Sequence, residues 1–136
     1  MREIKVSMAF LCQIDEYYFQ LRTGPETIGE IGKIGCFGGG IEQGETADEA
    51  VSREVAEETN IDALPENYHY LGPVDVVSER DGEEVATNAK VFKLLLPVGA
   101  TVRARQGELI TLAAGEIKDN LERMTPATRA AAEEWL

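Results

Sequence analysis

One helix constrains this sequence more than any other feature. Residues 46–59 are predicted to be helical because Thr46 and Glu49 have the spacing of a capping box. Asn60 follows, and asparagine tolerates the left-handed conformation that often ends a helix. On a helical wheel of about 100° per residue, the apolar side chains share one arc of roughly 140°, which we expect to face the core. They are Ala47, Ala50, Val51 and Val55.

Carboxylates interrupt this apolar arc. Glu54 and Glu58 fall inside it, and Glu57 lies at its edge. Two like charges about 4 Å apart repel by roughly 4 kcal/mol at an effective dielectric near 20. Arg53 can offset one carboxylate but not three. A hard divalent cation such as Mg²⁺ or Mn²⁺ would compensate the rest, because hard cations prefer oxygen ligands. The alternative is a solvated acidic face on a helix that packs by another edge.

Three successive glycines precede the helix. Gly38, Gly39 and Gly40 permit tight turns and close approach of the backbone to a ligand. The segment matches neither a P-loop nor G-x-G-x-x-G, since Gln43 stands where the third glycine belongs. A flexible surface loop is the alternative reading. The loop leads directly into the carboxylate helix, and this position favours a role in ligand binding.

The sequence before the glycines predicts a β-hairpin. Residues 5–14 and 17–22 are rich in strand-forming residues and flank the polar pair Asp15-Glu16. Residues 23–44 are rich in glycine and lack periodicity, so they are predicted to form a loop.

Further strands are expected after the helix. Residues 71–78 and 88–96 are predicted strands separated by the polar stretch 79–87, and residues 109–112 form a short one. Residues 116–124 are predicted to be helical. The interleaving of strands and helices indicates an α/β or α+β fold.

A last helix is predicted at the end of the chain. Thr125 suits the N-cap and Pro126 the first helical position. Trp135 and Leu136 are expected to dock this helix onto the core.

Length and charge limit the organisation and the partners. A chain of 136 residues is expected to form a single domain over residues 1–136. Lys and Arg number 13 against 25 Asp and Glu, which gives a formal net charge of −12. Such a chain is repelled by nucleic-acid backbones and by anionic membranes, so general binding to either is excluded.

The cysteines and the hydropathy exclude further classes of protein. Cys12 and Cys36 are far apart and His69 is the sole histidine, which excludes a standard structural zinc site. Cys12 lies in an apolar run and is expected to be buried. No apolar stretch of roughly 18 residues predicts a transmembrane helix, and the N-terminus lacks a cleavage signature, so we expect a cytoplasmic protein.

The glycine loop and the helix together carry a family resemblance. From Gly39 the sequence follows G-x5-E-x7-R-E-V-x-E-E-x-N-I. It resembles the Nudix box of the Nudix hydrolases, G-x5-E-x7-R-E-U-x-E-E-x-G-U, where U is aliphatic. The specified positions are Gly39, Glu45, Arg53, Glu54, Val55, Glu57, Glu58, Asn60 and Ile61. The departure is Asn60 in place of glycine, and we expect asparagine to preserve the turn.

This resemblance implies a fold and a reaction. The fold is an α/β/α sandwich around a mixed β-sheet. The reaction is hydrolysis of a nucleoside diphosphate linked to another group, X, in which water attacks phosphorus with the help of Mg²⁺ or Mn²⁺. Glu54 and Glu58 would be metal ligands, joined by Glu57 and the carbonyl group of Gly38.

The resemblance also implies roles for neighbouring residues. Arg53 would orient a helix glutamate, and Glu45 would hold the loop against the helix. The catalytic base would be Glu57 or Glu108. The loop glutamates remain open alternatives for the base: Glu79, Glu83 and Glu84.

The substrate is less constrained by the sequence. Arg22 is a candidate phosphate contact or an ordinary surface arginine, and Gly39 and Gly40 are candidates for backbone contact with the substrate. A nucleoside triphosphate or similar nucleotide is the expected partner, and a homodimer is compatible with the sequence. The alternative from another class is a catalytically silent module that binds a nucleotide or a protein.

Overall fold

Seven strands form a mixed sheet in the computed structural model, which describes residues 1–24 and 30–136. The strands are β1 (Arg2–Gln13), β2 (Glu16–Leu21), β3 (Ile34–Gly35), β4 (Phe37–Gly40), β5 (His69–Arg80), β6 (Glu83–Leu95) and β7 (Glu108–Ala113). Their order is β3-β2-β1-β6-β5, with β4 also paired to β1 and β7 to β2. β1 is parallel to β6, whereas the other named pairs are antiparallel.

The two α-helices of the described residues cover opposite faces of the sheet. The helices are α1 (Ala47–Glu58) and α2 (Pro126–Trp135). Successive side chains of β1 point to opposite faces, so Phe10 joins one core cluster and Leu11 the other. α2 packs on the first cluster through Ala131 and α1 on the second through Val55. The predicted α/β architecture is therefore confirmed.

The first hairpin is confirmed, but the predicted loop over residues 23–44 is partly wrong. β3 and β4 lie inside it, and the portion at residues 25–29 lies outside the described residues. β4 pairs with β1, with Gly40 opposite Val6 and Phe37 opposite Ala9. A glycine-rich strand has no alternating pattern of side chains, and only its tertiary neighbour reveals it.

The second hairpin is longer than predicted. β5 and β6 continue through the polar stretch 79–87, and the turn consists of Asp81 and Gly82, with φ values of 52° and 78°. Asp-Gly suits a two-residue turn in which both φ angles are positive. The ladder therefore extends to Arg80 opposite Glu83, even though these residues have no apolar alternation.

The end of α1 differs from the expectation. Thr59 is extended, with φ −139°, and pairs with Ala104, and Asn60 has no positive φ. The Asn60 side chain instead accepts a hydrogen bond from the Arg103 N–H at 2.7 Å and donates one to the Thr101 carbonyl at 2.8 Å. Contacts with a distant segment thus replace the left-handed cap.

The C-terminal prediction is confirmed in part. β7 covers the predicted strand, and α2 begins with Thr125 as N-cap and Pro126 at its first position. The predicted helix over residues 116–124 is instead two 3₁₀ segments, Ala114–Glu116 and Lys118–Arg123, held by short-range i→i+3 bonds. Trp135 packs against the core, whereas Leu136 is exposed, contrary to expectation.

The predicted burial of Cys12 is confirmed. Cys12 and Cys36 are free and buried. Among residues 1–24 and 30–136, no helix is long and apolar enough to cross a membrane.

Candidate active site

The capping box and an apolar face fix the orientation of α1. The Thr46 hydroxyl accepts a hydrogen bond from the Glu49 N–H, and the Glu49 carboxylate accepts one from the Thr46 N–H at 2.9 Å. Val51 and Val55 are fully buried against the sheet. Because the helix cannot rotate without exposing these side chains, its glutamates are held toward the glycine strand β4.

Glu58 is the carboxylate most withdrawn from solvent. It is 5% exposed, and its Oε1 accepts a hydrogen bond from the backbone N–H of Gly38 at 2.8 Å. Burial raises the pKa of Glu58 to about 7. The nearby charges of Glu54 and Glu57 also raise this pKa, whereas the Gly38 hydrogen bond and the Arg22 charge lower it. A buried carboxylate in this environment favours an added cation.

Arg53 joins the loop to the other helix glutamates. Its Nε donates to Glu45 at 2.8 Å, and its Nη1 donates to Glu54 at 2.9 Å and to Glu57 at 3.3 Å. Its Nη2 donates to the carbonyl oxygen of Gly40 at 3.0 Å. The hydrogen bond to Glu45 is the main cause that raises the pKa of Arg53, and it lowers the pKa of Glu45 to about 2.

Two glycines allow the strand to lie against this helix. Gly38 has φ +156°, and an added Cβ there would overlap the backbone oxygen of Ser7. An added Cβ at Gly39 would overlap the carboxylate of Glu54. The glycine requirement at these positions is therefore steric, and Gly39 leaves the space that the Glu54 carboxylate occupies.

The donor set fits a hard divalent cation. Glu54, Glu57 and Glu58, with the Gly38 carbonyl oxygen, would offer oxygen ligands alone, and Mg²⁺ and Mn²⁺ prefer such ligands. Across residues 1–24 and 30–136, no group of three Asp, Glu, His or Cys side chains is already gathered as a metal site. Arg53 holds Glu54 and Glu57 through one oxygen atom each, Oε1.

A cavity of about 400 Å³ adjoins the glycine strand and Glu58. Arg22, the candidate phosphate contact, lines it, and its Nη2 donates to the Cys36 carbonyl oxygen at 3.0 Å. Gln20 and Arg80 also line it, and neither was predicted from the sequence. Gln20 sits in an ordinary strand and Arg80 in a polar hairpin, so neither carries a sequence signal.

Unpaired polar atoms concentrate around this cavity. Within the described part of the chain, four buried side-chain atoms have no hydrogen-bond partner: Gln20 Oε1, Arg22 Nε, Arg80 Nε and the Tyr68 hydroxyl. The first three belong to residues that line the cavity. Buried polar groups are usually paired, so this concentration marks the cavity as a place where a polar ligand would add hydrogen bonds.

Other predicted residues lie apart from the cavity. Glu54 and Glu57 do not line it, although α1 holds both beside Glu58. Glu108 is exposed at the start of β7, opposite Leu21, and does not line it either.

The loop glutamates are also separate from it. Glu79, Glu83 and Glu84 lie at the end of the second hairpin, and Glu79 lines a different cavity. The structure brings together the box residues and Arg22, but not these three glutamates.

Solved structures share this fold. The MutT NUDIX hydrolase of Burkholderia pseudomallei is 23% identical, with a TM-score of 0.73 and 100% coverage of both chains. The MutT protein of Methanosarcina mazei Go1 is 23% identical, with a TM-score of 0.75 and coverage of 98% of this chain and 92% of that one. The E. coli dihydroneopterin triphosphate pyrophosphohydrolase is 17% identical, with a TM-score of 0.71 and coverage of 99% of this chain and 97% of that one.

Sequence comparison supplies the family. No curated protein matches the chain. The NUDIX domain model matches residues 16–135, which is most of the chain and includes the glycine strand, α1 and β7. The chain therefore belongs to the NUDIX domain family and is a Nudix hydrolase, an enzyme that acts on phosphoanhydride bonds.

Proposed function

We propose that this enzyme is a Mg²⁺-dependent pyrophosphohydrolase that cleaves a nucleoside diphosphate linked to X, with a nucleoside triphosphate or a similar nucleotide as substrate. Mn²⁺ is the alternative ion. The observation that carries the proposal is the hydrogen bond from Gly38 to the buried Glu58, because it joins the glycine strand to the carboxylate helix.

The proposed metal ligands are Glu54, Glu57, Glu58 and the carbonyl oxygen of Gly38. When bound there, Mg²⁺ would neutralise charge on phosphate oxygens and lower the pKa of a bound water. Arg53 positions the carboxylates: it holds Glu54 and Glu57 through one nitrogen, Nη1, and is itself anchored on Glu45. These charge-assisted hydrogen bonds from Arg53 keep the side chains of Glu54 and Glu57 at the face of α1 that meets β4.

Glu57 is the first candidate for the base that takes the proton from the attacking water. Its side chain is 52% exposed, and its hydrogen bond to Arg53, at 3.3 Å, is longer than those of Glu45 and Glu54. The second candidate is Glu108, which is exposed on β7. Glu108 requires a substrate that extends beyond the cavity, because its side chain does not line it.

Arg22, Gly39 and Gly40 are the proposed substrate contacts. Arg22 lines the cavity, and among the described residues its buried Nε has no hydrogen-bond partner, which suits a phosphate oxygen as acceptor. The glycines bring backbone close to the ligand without side chains in the way. The similar E. coli protein is named as a pyrophosphohydrolase of a triphosphate, which supports a triphosphate substrate here.

A hydrolysis panel with and without Mg²⁺ tests the proposal. It includes nucleoside triphosphates, oxidised nucleoside triphosphates, dinucleoside polyphosphates, ADP-ribose and nucleotide sugars, with products separated by chromatography. We expect metal-dependent cleavage of a triphosphate. Nucleotide binding seen as a thermal shift, with no product from any substrate, would contradict the proposal and favour the silent binding module.

Two variants separate the candidate bases. If Glu57 is the base, Glu57→Gln loses about 100-fold or more in kcat even at saturating Mg²⁺, and Glu108→Gln changes kcat little. The reverse order assigns the role to Glu108. Glu66→Gln, an exposed carboxylate outside the box and the cavity, is the charge-matched control.

A further inference from the structure

The cavity beside Glu58 is richer in positive charge than the rest of this acidic protein. Of the described residues that line it, Lys5, Arg22 and Arg80 are cationic, whereas Glu30 and Glu58 are acidic. The whole chain carries 13 Lys and Arg against 25 Asp and Glu. A local excess of cations against this background favours an anionic ligand.

Arg80 is the cation whose role the family motif leaves unassigned. It ends β5, directly before the Asp81-Gly82 turn, and its Nη2 donates to Glu30 Oε1 at 2.6 Å. The side chains of Arg80 and Glu30 are 33% and 15% exposed. Within the described residues, the buried Nε of Arg80 has no partner. The guanidinium therefore uses one donor where its edge offers two.

Glu30 accepts a bond from only one of the two nitrogens on this edge of the Arg80 guanidinium. Arginine presents Nε and Nη2 as a planar fork, and phosphate oxygens accept both bonds at once. Arg80 and Glu30 also line a second cavity of about 440 Å³, so the pair stands between two open spaces.

We propose that Arg80 is a substrate-binding residue that exchanges Glu30 for a phosphate group of X. This inference rests on the proposed function and narrows its substrate class to compounds in which X itself carries phosphate, such as nucleoside triphosphates. Glu30 disfavours an uncharged X, because a sugar that displaced it would leave Arg80 without a counter-charge. The pair thus determines specificity by opposing substrates that lack the additional phosphate.

Binding of inorganic tripolyphosphate tests the exchange directly. Titration calorimetry is performed on the whole protein at low ionic strength with EDTA, so that neither metal nor turnover contributes. Arg80→Gln should weaken binding about tenfold, and Glu30→Gln should tighten it about threefold, since the competing carboxylate is gone. Arg103→Gln and Glu66→Gln carry the same changes of charge at exposed positions outside the cavity and should leave the affinity within about twofold.

The opposite changes in tripolyphosphate affinity expected for Arg80→Gln and Glu30→Gln distinguish an exchange of partners from a purely structural ion pair. A structural pair would be weakened by either substitution, and both variants would then lose stability and affinity together. Equal affinities of Arg80→Gln and Arg103→Gln, or weaker binding by Glu30→Gln, would overturn the inference.

Kinetics provide the second readout. With a nucleoside triphosphate, Arg80→Gln should raise KM about tenfold with kcat within about twofold, and Arg80→Lys should recover part of the loss. With a nucleotide sugar, the KM of Arg80→Gln should not rise, because an uncharged X forms no ion pair with Arg80 that the substitution could remove. The two proposals can fail separately. If the wild-type protein hydrolyses no substrate but Arg80→Gln still weakens tripolyphosphate binding, the proposed reaction is wrong and the proposed anion site is supported.

Discussion

The carboxylate of Glu58 accepts a hydrogen bond from the backbone N–H of Gly38 at 2.8 Å. This bond joins the centre of a glycine strand to the last turn of the helix that follows it. Glu58 is almost fully buried, so the bond is shielded from competing water. The distance between the glycine strand and the carboxylates is therefore set by the fold itself.

Glu58→Gln should abolish most turnover without unfolding the protein. Glutamine can still accept the Gly38 hydrogen bond but carries no charge for a cation, so we expect at least a 100-fold loss of kcat/KM. Without Mg²⁺, the melting temperature should not fall, because the variant no longer buries a carboxylate. Mg²⁺ should raise the melting temperature of the wild-type protein only. Wild-type turnover in this variant would exclude Glu58 from the metal site.

Gly39→Ala should damage the site through Glu54. The added methyl group would overlap the Glu54 carboxylate, so we expect a 10- to 100-fold loss of activity, about the effect of misplacing a ligand. Gly115→Ala is the matched control, because an added Cβ there meets no atom of the described residues within 4 Å. Activity assays and thermal melts of both variants provide the comparison. Full activity of Gly39→Ala would mean that Glu54 is free to move without consequence.

The ion pair between Glu45 and Arg53 should give stability a defined pH dependence. The folded-state pKa of Glu45, about 2, lies below its ordinary value of 4.5. The stabilisation is therefore fully present above about pH 4.5 and is lost as the pH falls through about 2. Urea unfolding of the wild-type protein and Glu45→Gln from pH 7 to pH 2 should show a gap in stability that closes over this range.

Glu42→Gln is the control for that pair. Glu42 lies 3.8 Å from the same arginine, but its side chain is 70% exposed, and exposed pairs contribute little. The gap between wild type and Glu42→Gln should be small at every pH. A gap for Glu45→Gln that is equally wide at pH 7 and pH 2 would argue against the ion pair as its source.

Both thiols should be unreactive in the folded protein. Burial raises the pKa of Cys36 to about 12 and also raises the pKa of Cys12, so neither forms the reactive thiolate at neutral pH. Titration with a thiol reagent at pH 8 should detect no thiol in the native state and both after denaturation. Rapid labelling of the native protein would contradict the burial of these residues.

Local sequence determined the helix and its chemistry. The capping box of Thr46 and Glu49 and the apolar spacing of Val51 and Val55 specify α1, because both depend on residues one or two turns apart. The same periodicity placed Glu58 in the buried arc, where the structure has it. The family pattern could be read because its residues are also close in sequence.

Tertiary structure decided what depends on distant partners. β4 exists because β1 pairs with it, and Asn60 turns its side chain to Thr101 and Arg103 instead of taking the left-handed cap. The cavity wall also depends on distant partners. Gln20 and Arg80 line it, but their strands have no sequence pattern that would predict a cavity.

The difference between the features predicted from the sequence and those seen only in the structure has a physical reason. Periodicity and capping report interactions between residues within a few positions of each other, and the sequence records them directly. Strand pairing and cavity walls depend on contacts across tens of residues, as between Arg80 and Glu30. The sequence by itself thus determined the carboxylate helix, whereas the folded sheet decided which cations line the cavity beside it.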